Sequence, residues 1–278
     1  MRNKELEKNA KLAADFITSF FKKHGNAAKQ NANPPVGLIL GTGWGDVLKI
    51  ENATAISFKE IPGFTALDVL EGHARQLIIG NLAGREVFVL RGRIHMNESP
   101  SNQDLAKMVR LQMEMMLQLG VKTFILTSAV GGLRGALKVG QIAAVNGFVT
   151  LYAPEMPLWA GEFCSPEDVL SEKLRKIASE ECGELTVKEA GHVMVRGPFF
   201  EGRKYDKALL AASGAGVVGM SMLPEACIAA LYENTEVLGL GFVTNDDIAT
   251  HSHEENLAQA KTAAAHLGDF LARIVKRI

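Results

Sequence analysis

Arg91, Arg93, His95 and Glu98 fall within one eight-residue stretch, RGRIHMNE (91–98), directly after the apolar run EVFVL. The planar fork of Arg93 suits a phosphate, and a carboxylate at Glu98 suits fixing the orientation of His95. Arginines at a strand end also occur as a solvated rim. Metal ligation by His95 and Glu98 is the weaker alternative, because no third ligand stands nearby and neither HExxH nor a cysteine cluster occurs. GTGWG (41–45) follows the run VGLIL, and its glycines would let backbone N–H groups approach an anion while Thr42 adds a hydroxyl. TSAVGG (127–132) repeats the pattern of small residues after a strand, and VGMSMLPE (218–225) sets Ser221 before a helix starting near Pro224. Any one of these is an ordinary turn or cap; several together with Arg93 describe an oxyanion pocket.

Two further stretches suit a flat heterocycle. RGPFFE (196–201) combines a rigid proline, Phe199 and Phe200, and the carboxylate of Glu201, a set able to stack on a ring and read its N–H edge; its plain alternative is a core aromatic pair beside a surface acid. FVTNDDIATHSHEEN (242–256) places Asn245, Asp246 and Asp247 at a strand end, with His251, Ser252 and His253 opening a helix. Asn245 donates and accepts without ionising. A dinucleotide site would need GxGxxG and an acidic residue about 20 positions on. Here the pattern is GxGxG and IPGFTA stands near that point, so a nicotinamide-dependent oxidoreductase is demoted.

The elements that must hold these residues alternate. A helical pattern from Arg2 to about His24 leads into a polar connection ending in Pro34 and Pro35, followed by strand-like runs at 36–40, 75–80, 86–90, 122–128, 192–195 and 236–244. Helical patterns lie between them at Gln103 to Leu119, Pro166 to Cys182, Arg203 to Ala212 and Pro224 to Glu233. The final helix is expected to start at a Ser252–Glu255 capping box and to bury Leu257, Leu267, Leu271 and Ile274. Interleaved strands and helices predict an α/β fold. The irregular 151–165 stretch is the longest loop candidate.

Composition agrees with a water-soluble globular chain. Of 278 residues 47% are hydrophobic and 22% charged, and 30 Lys plus Arg against 31 Asp plus Glu leave a net charge of -1, no field for a polyanion. Nucleic-acid and membrane-surface binding are therefore not expected. Cys164, Cys182 and Cys227 are odd in number and scattered, so no disulfide framework is expected. With a charged N-terminus and no apolar run long enough to span a bilayer, the expectation is a cytoplasmic protein of one domain, 1–278, with 1–35 an N-terminal helix and loop.

Read in order, GTGWG, EGHAR, RGRIHMNE, SAVGG, GPFFE, GMSMLPE and TNDD with SHEEN resemble the trimeric purine nucleoside phosphorylase family, which includes the methylthioadenosine phosphorylases; the resemblance runs from about Val36 to the C-terminus. It implies a mixed central β-sheet flanked by helices, a homotrimer, inorganic phosphate as co-substrate, and neither cofactor nor catalytic metal. It assigns phosphate to Thr42, His73, Arg93, His95, Ala129 and Ser221, with Glu98 orienting His95. Phe200, Glu201 and Asn245 would meet the purine, Met220 the ribose and His253 the 5'-hydroxyl. Phe163 would match an aromatic donated by a neighbouring subunit.

This sequence departs from the family at Asn97, where many members have Tyr, at Phe199, which replaces a small residue, in the acidic pair Asp246 and Asp247, and in the loop from Trp159 to Pro166. The expected reaction is phosphorolysis of purine nucleosides, 6-oxopurines preferred. Catalysis would fall to Asn245, Glu201, His95 and Arg93. A methylthioadenosine or adenosine phosphorylase would show an acid at position 245, a small residue at 201 and an apolar 5' pocket. A non-catalytic nucleoside binder would use the same residues.

Overall fold

The structure, a computed structural model, describes residues 3–24, 33–65, 74–96, 98, 104–159, 161–197, 204–246 and 263–278. Helix α1 (Lys4–Lys23) starts where the Asn3 side chain accepts from the N–H groups of Glu5 and Leu6, and it buries Leu6, Ala10, Ala13, Ala14, Ile17 and Phe21. Spacings of three and four put those residues on one stripe.

Among the described residues, nine strands form one mixed sheet: β1 (Val36–Leu40), β2 (Glu51–Ser57), β3 (Gln76–Leu82), β4 (Arg85–Arg91), β5 (Thr123–Gly132), β6 (Ile142–Val149), β7 (Val187–Met194), β8 (Val217–Gly219) and β9 (Glu236–Asp246). Their order is β2-β3-β4-β1-β5-β8-β7-β6-β9, and β9 pairs again with β5. That last pairing joins β5, β8, β7, β6 and β9 into a ring of five, while β2, β3, β4 and β1 extend from it as an open sheet.

Both faces of the open part are covered, so its central strands are apolar throughout rather than alternating. Ile39, Phe88 and Leu90 face a core shared with α1 and with α2 (Leu105–Gln118). Val36, Leu38, Leu40, Val87 and Val89 face the opposite core, shared with α3 (Glu172–Glu180) and α6 (Ala264–Arg277). Two shorter helices, α4 (Asp206–Ala212) and α5 (Leu223–Ala229), flank β8 in the chain.

Three strands escape a reading of apolar runs. β2 is largely exposed, β6 carries Asn146 and Gly147, and β8 is three residues long. The expected helix from Pro166 to Cys182 is instead a 3-10 turn (Pro166–Val169) followed by α3, because Leu170 is drawn into a parallel bridge with Val237 and Ser171 then caps α3 by accepting from the Leu174 N–H. The Ser252–Glu255 capping box lies outside the described residues.

Candidate active site at the strand ends

β1 is parallel to β4 and β5, and β5 is parallel to β9, so the C-terminal ends of four strands share one edge. Crevices at such edges are where α/β sheets bind ligands. Thr42 follows β1, Arg93 and His95 follow β4, Ala129 lies near the end of β5, and Asn245 lies near the end of β9. β8 runs antiparallel to β5 with Val218 opposite Gly131, so Met220 and Ser221, just past its end, run back toward Ala129.

The GTGWG turn is fixed to β5. Thr127 Oγ1 accepts from the Gly41 N–H at 3.2 Å and donates to the Ile39 carbonyl at 3.1 Å, while the buried Trp44 indole donates to the Ser128 carbonyl at 3.2 Å. A Cβ at Gly41 would stand 2.5 Å from the Thr127 carbonyl oxygen, so only glycine permits this approach. Thr42 therefore sits on a rigid, half-buried turn.

Arg93 is 1% exposed. Its Nη1 donates to Glu225 Oε1 at 2.8 Å, and Nη2 donates to the carbonyl oxygens of Thr127 and Ile39. Arg93 is thus buried beneath the strand ends rather than standing on a solvated rim, and Glu225, itself 1% exposed, couples it to α5. Gln112 of α2 holds the next residue at both backbone groups: its Oε1 accepts from the Ile94 N–H at 2.9 Å and its Nε2 donates to the Ile94 carbonyl at 3.2 Å.

Glu98 accepts from the His95 backbone N–H at 2.7 Å and from Arg75. The carboxylate therefore grips the His95 backbone and ties EGHAR to RGRIHMNE. Near the end of β9, Asn245 Oδ1 accepts from the Thr244 hydroxyl at 3.1 Å, and its Nδ2 lies 2.9 Å from where a Gly131 Cβ would be. Gly131 of SAVGG thus clears space for the Asn245 amide.

Ser221 is buried, and the following Met222 adopts φ +75°, a region that a non-glycine residue occupies only under constraint. The Met222 side chain, fully buried against Gly239, and the Arg93–Glu225 pair supply that constraint.

His73, Phe200, Glu201 and His253 lie outside the described residues, as do Asn97, Phe199 and Asp247. Phe163 is described and is 96% exposed, away from the apolar core. Among the described residues, no group of three or more His, Cys, Asp or Glu stands close enough to hold a metal ion. No described helix is long and apolar enough to cross a membrane.

Sequence reading passed over several residues that shape this edge. Glu225 and Arg75 stood inside quoted motifs, but an acid or base in a motif names no partner. Thr127 likewise stood inside TSAVGG without naming its partners, and Gln112 carries no local signal. Neither does His192 on β7, which is fully buried, has no hydrogen-bond partner on either ring nitrogen among the described residues, and stacks edge-on against Phe148 at 5.7 Å.

Burial, with the Arg93 charge adding to it, lowers the His192 pKa from 6.5 to about 4. The unfolded chain then binds a proton that the folded one refuses. Stability should be intact above about pH 6.5 and fall by up to about 3 kcal/mol as pH drops toward 4. Urea titrations of wild type and His192→Phe at pH 7.5 and 4.5 check this: the variant should lose less on acidification, and an equal loss would remove His192 as the source.

These features define an α/β protein in which Thr42, Arg93, His95, Ala129, Ser221 and Asn245 lie at the C-terminal edge of a mixed sheet. The chain belongs to the phosphorylase superfamily, whose family model matches residues 35–276. It is 33% identical over 248 residues to a purine nucleoside phosphorylase of Mycobacterium tuberculosis, covering 87% of this chain and 89% of that one. It is 30% identical over 261 residues to purine nucleoside phosphorylase 1 of Geobacillus stearothermophilus, covering 88% and 92%. Among solved structures, isoform 2 of the Schistosoma mansoni purine nucleoside phosphorylase, in complex with cytosine and ribose-1-phosphate, superposes with a TM-score of 0.81 at 27% identity, covering 98% of this chain and 96% of that one. A Schistosoma mansoni purine nucleoside phosphorylase in complex with inosine gives 0.81 at 26% identity, covering 98% and 96%.

Proposed function

We propose that this chain is a purine nucleoside phosphorylase, a pentosyltransferase that moves the ribosyl group of a purine nucleoside onto inorganic phosphate. The observation that carries the reading is the convergence of Thr42, Arg93, His95, Ala129, Ser221 and Asn245 on one end of the sheet, from five separate strand ends. The relatives that carry this name, and the solved neighbours bound to inosine and to ribose-1-phosphate, support it.

In this reading phosphate lies against the Thr42 turn, His95, the Ala129 backbone and Ser221, above the Arg93 charge, with His73 completing the set. The C1'–N9 bond breaks, its electron pair passes to the purine, and a phosphate oxygen forms the new bond to C1'. Holding the nucleophile in place can offset about 7 to 11 kcal/mol of barrier at best. Its negative charge also steadies the cationic sugar. Asn245 donates to N7 as the leaving purine gains electron density. Glu201 accepts the N1–H of a 6-oxopurine, Phe200 stacks on the base, Met220 packs on the ribose and His253 meets the 5'-hydroxyl. No cofactor enters the scheme, and the products are free purine and ribose 1-phosphate.

The assembly we propose is a homotrimer in which Phe163 closes a neighbour's nucleoside site. A side chain 96% exposed, flanked by the anchored Glu162 and Cys164, is suited to that purpose. Inosine turnover followed by chromatography, with and without phosphate, tests the reaction. Ribose 1-phosphate should form only when phosphate is present; equal cleavage in phosphate-free buffer would make the protein a hydrolase.

A further inference from the structure

Phe163 projects into solvent between two residues that do not. The side chain of Glu162 is 1% exposed, and Cys164 packs with Met194, Leu223 and Cys227. A lone exposed apolar residue is commonplace on a protein surface. One held from both sides is not explained by loop mobility.

The Glu162 carboxylate accepts four hydrogen bonds from three parts of the chain. Arg110 of α2 donates through Nη1 and, at 2.8 Å, through Nη2; the Trp159 N–H donates at 2.9 Å; and the Asn3 N–H, at the start of α1, donates at 2.9 Å. The Glu162 N–H in turn donates to the Trp159 carbonyl at 2.9 Å, closing the turn on itself. Arg110 lies 5.5 Å from the Trp159 ring centre and also bonds Glu114 through Nε at 2.8 Å, and Glu114 accepts from the Tyr232 hydroxyl at 2.8 Å. Burial alone would raise the Glu162 pKa, but the bonds from Arg110, Trp159 and Asn3 hold it at about 2, so the carboxylate is charged at any working pH.

Buried ion pairs are often replaceable by apolar residues without loss of stability, so stability does not account for this one. Its geometry does something an apolar patch cannot: a bidentate fork fixes both position and direction of the residue next to Phe163.

Resting on the reading of Phe163 as an aromatic donated to a second copy of this chain, we infer that Glu162 and Arg110 form a clamp that holds Phe163 in its donating position. Glu162 is then a positioning residue for nucleoside binding in the neighbouring subunit, acting only through Phe163. Pre-setting the ring reduces the ordering cost of closing the neighbour's site.

Four proteins test it: wild type, Glu162→Ala, Phe163→Ala and the double variant. In Glu162→Ala the Arg110 charge keeps Glu114 as its partner. Each single variant should raise the KM for inosine about tenfold or more, leave the KM for phosphate within about threefold, and keep the wild-type mass by light scattering. The double variant should match Phe163→Ala alone, because a clamp with nothing to hold has no effect. Multiplying effects in the double variant, or an unchanged inosine KM in Glu162→Ala, would overturn the clamp. So would a parallel fall in phosphate and inosine kinetics accompanied by loss of the assembly, since that marks a purely structural role. If Phe163→Ala itself leaves the inosine KM unchanged, the donated-aromatic reading fails and the clamp with it. Should Glu162→Ala not fold, Glu162→Gln, which preserves the volume, carries the same comparison.

Discussion

Arg93→Ala is expected to lower kcat/KM for phosphate by about a hundredfold or more and to destabilise the fold by about 3–5 kcal/mol. Both losses have one origin. In the proposed mechanism, removing the guanidinium strips positive charge from beneath the phosphate, and in the fold it leaves Glu225 buried, 1% exposed, without its counter-charge. The two effects separate in the double variant Arg93→Met with Glu225→Leu. Replacing both partners by apolar groups should restore most of the stability while leaving phosphate kinetics impaired. Urea denaturation alongside initial rates at varied phosphate provides both readouts. Wild-type kinetics in Arg93→Ala would move the phosphate elsewhere; a double variant no more stable than the single would mean that the orphaned charge is not what destabilises it.

The second large effect concerns the base. Asn245→Ala should reduce kcat for inosine by about 10²- to 10³-fold, because in the proposed mechanism its amide contact to N7 strengthens only as N7 gains electron density in the transition state. Glu201→Gln should narrow the gap between inosine and adenosine, since on the proposed reading the carboxylate accepts a proton at N1 that adenine lacks. The structure adds a partner to this pair. A Cβ at Gly131 would press 2.9 Å from Asn245 Nδ2, so Gly131→Ala should reproduce part of the Asn245→Ala loss without touching the substrate. Steady-state rates on inosine and adenosine for the three variants decide it. A wild type that prefers adenosine, with the preference abolished by Asp247→Ala, would make the acidic pair the base reader instead.

Much of the scaffold was legible. Apolar runs located β1, β4 and β5, because central strands with helices on both faces need no polar residues and stand out from their surroundings. β2 and β8 were hidden for opposite reasons: one is a largely exposed strand with polar residues, the other too short for a pattern. The helix expected from Pro166 to Cys182 read well by periodicity alone, yet the bridge from Leu170 to Val237 splits it. A contact with a strand more than sixty residues away leaves no trace in local spacing.

By itself the sequence determined the strand ends and the chemical groups attached to them. Glycine, Arg, His and Asn directly after the apolar runs of β1, β4, β5 and β9 are local facts, and chain order alone places each beside its strand, whereas Ser221 follows β8, too short to be read. The tertiary structure decided which of those groups meet and what holds them. The partner of a buried charge is whatever the fold brings near, so Arg93 pairs with Glu225 across 132 positions, Arg110 with Glu162 across 52, and Gly41 closes on Thr127 across 86. A buried ion must find its counter-charge within hydrogen-bond reach, and that reach is set by strand order and helix docking rather than by distance along the chain.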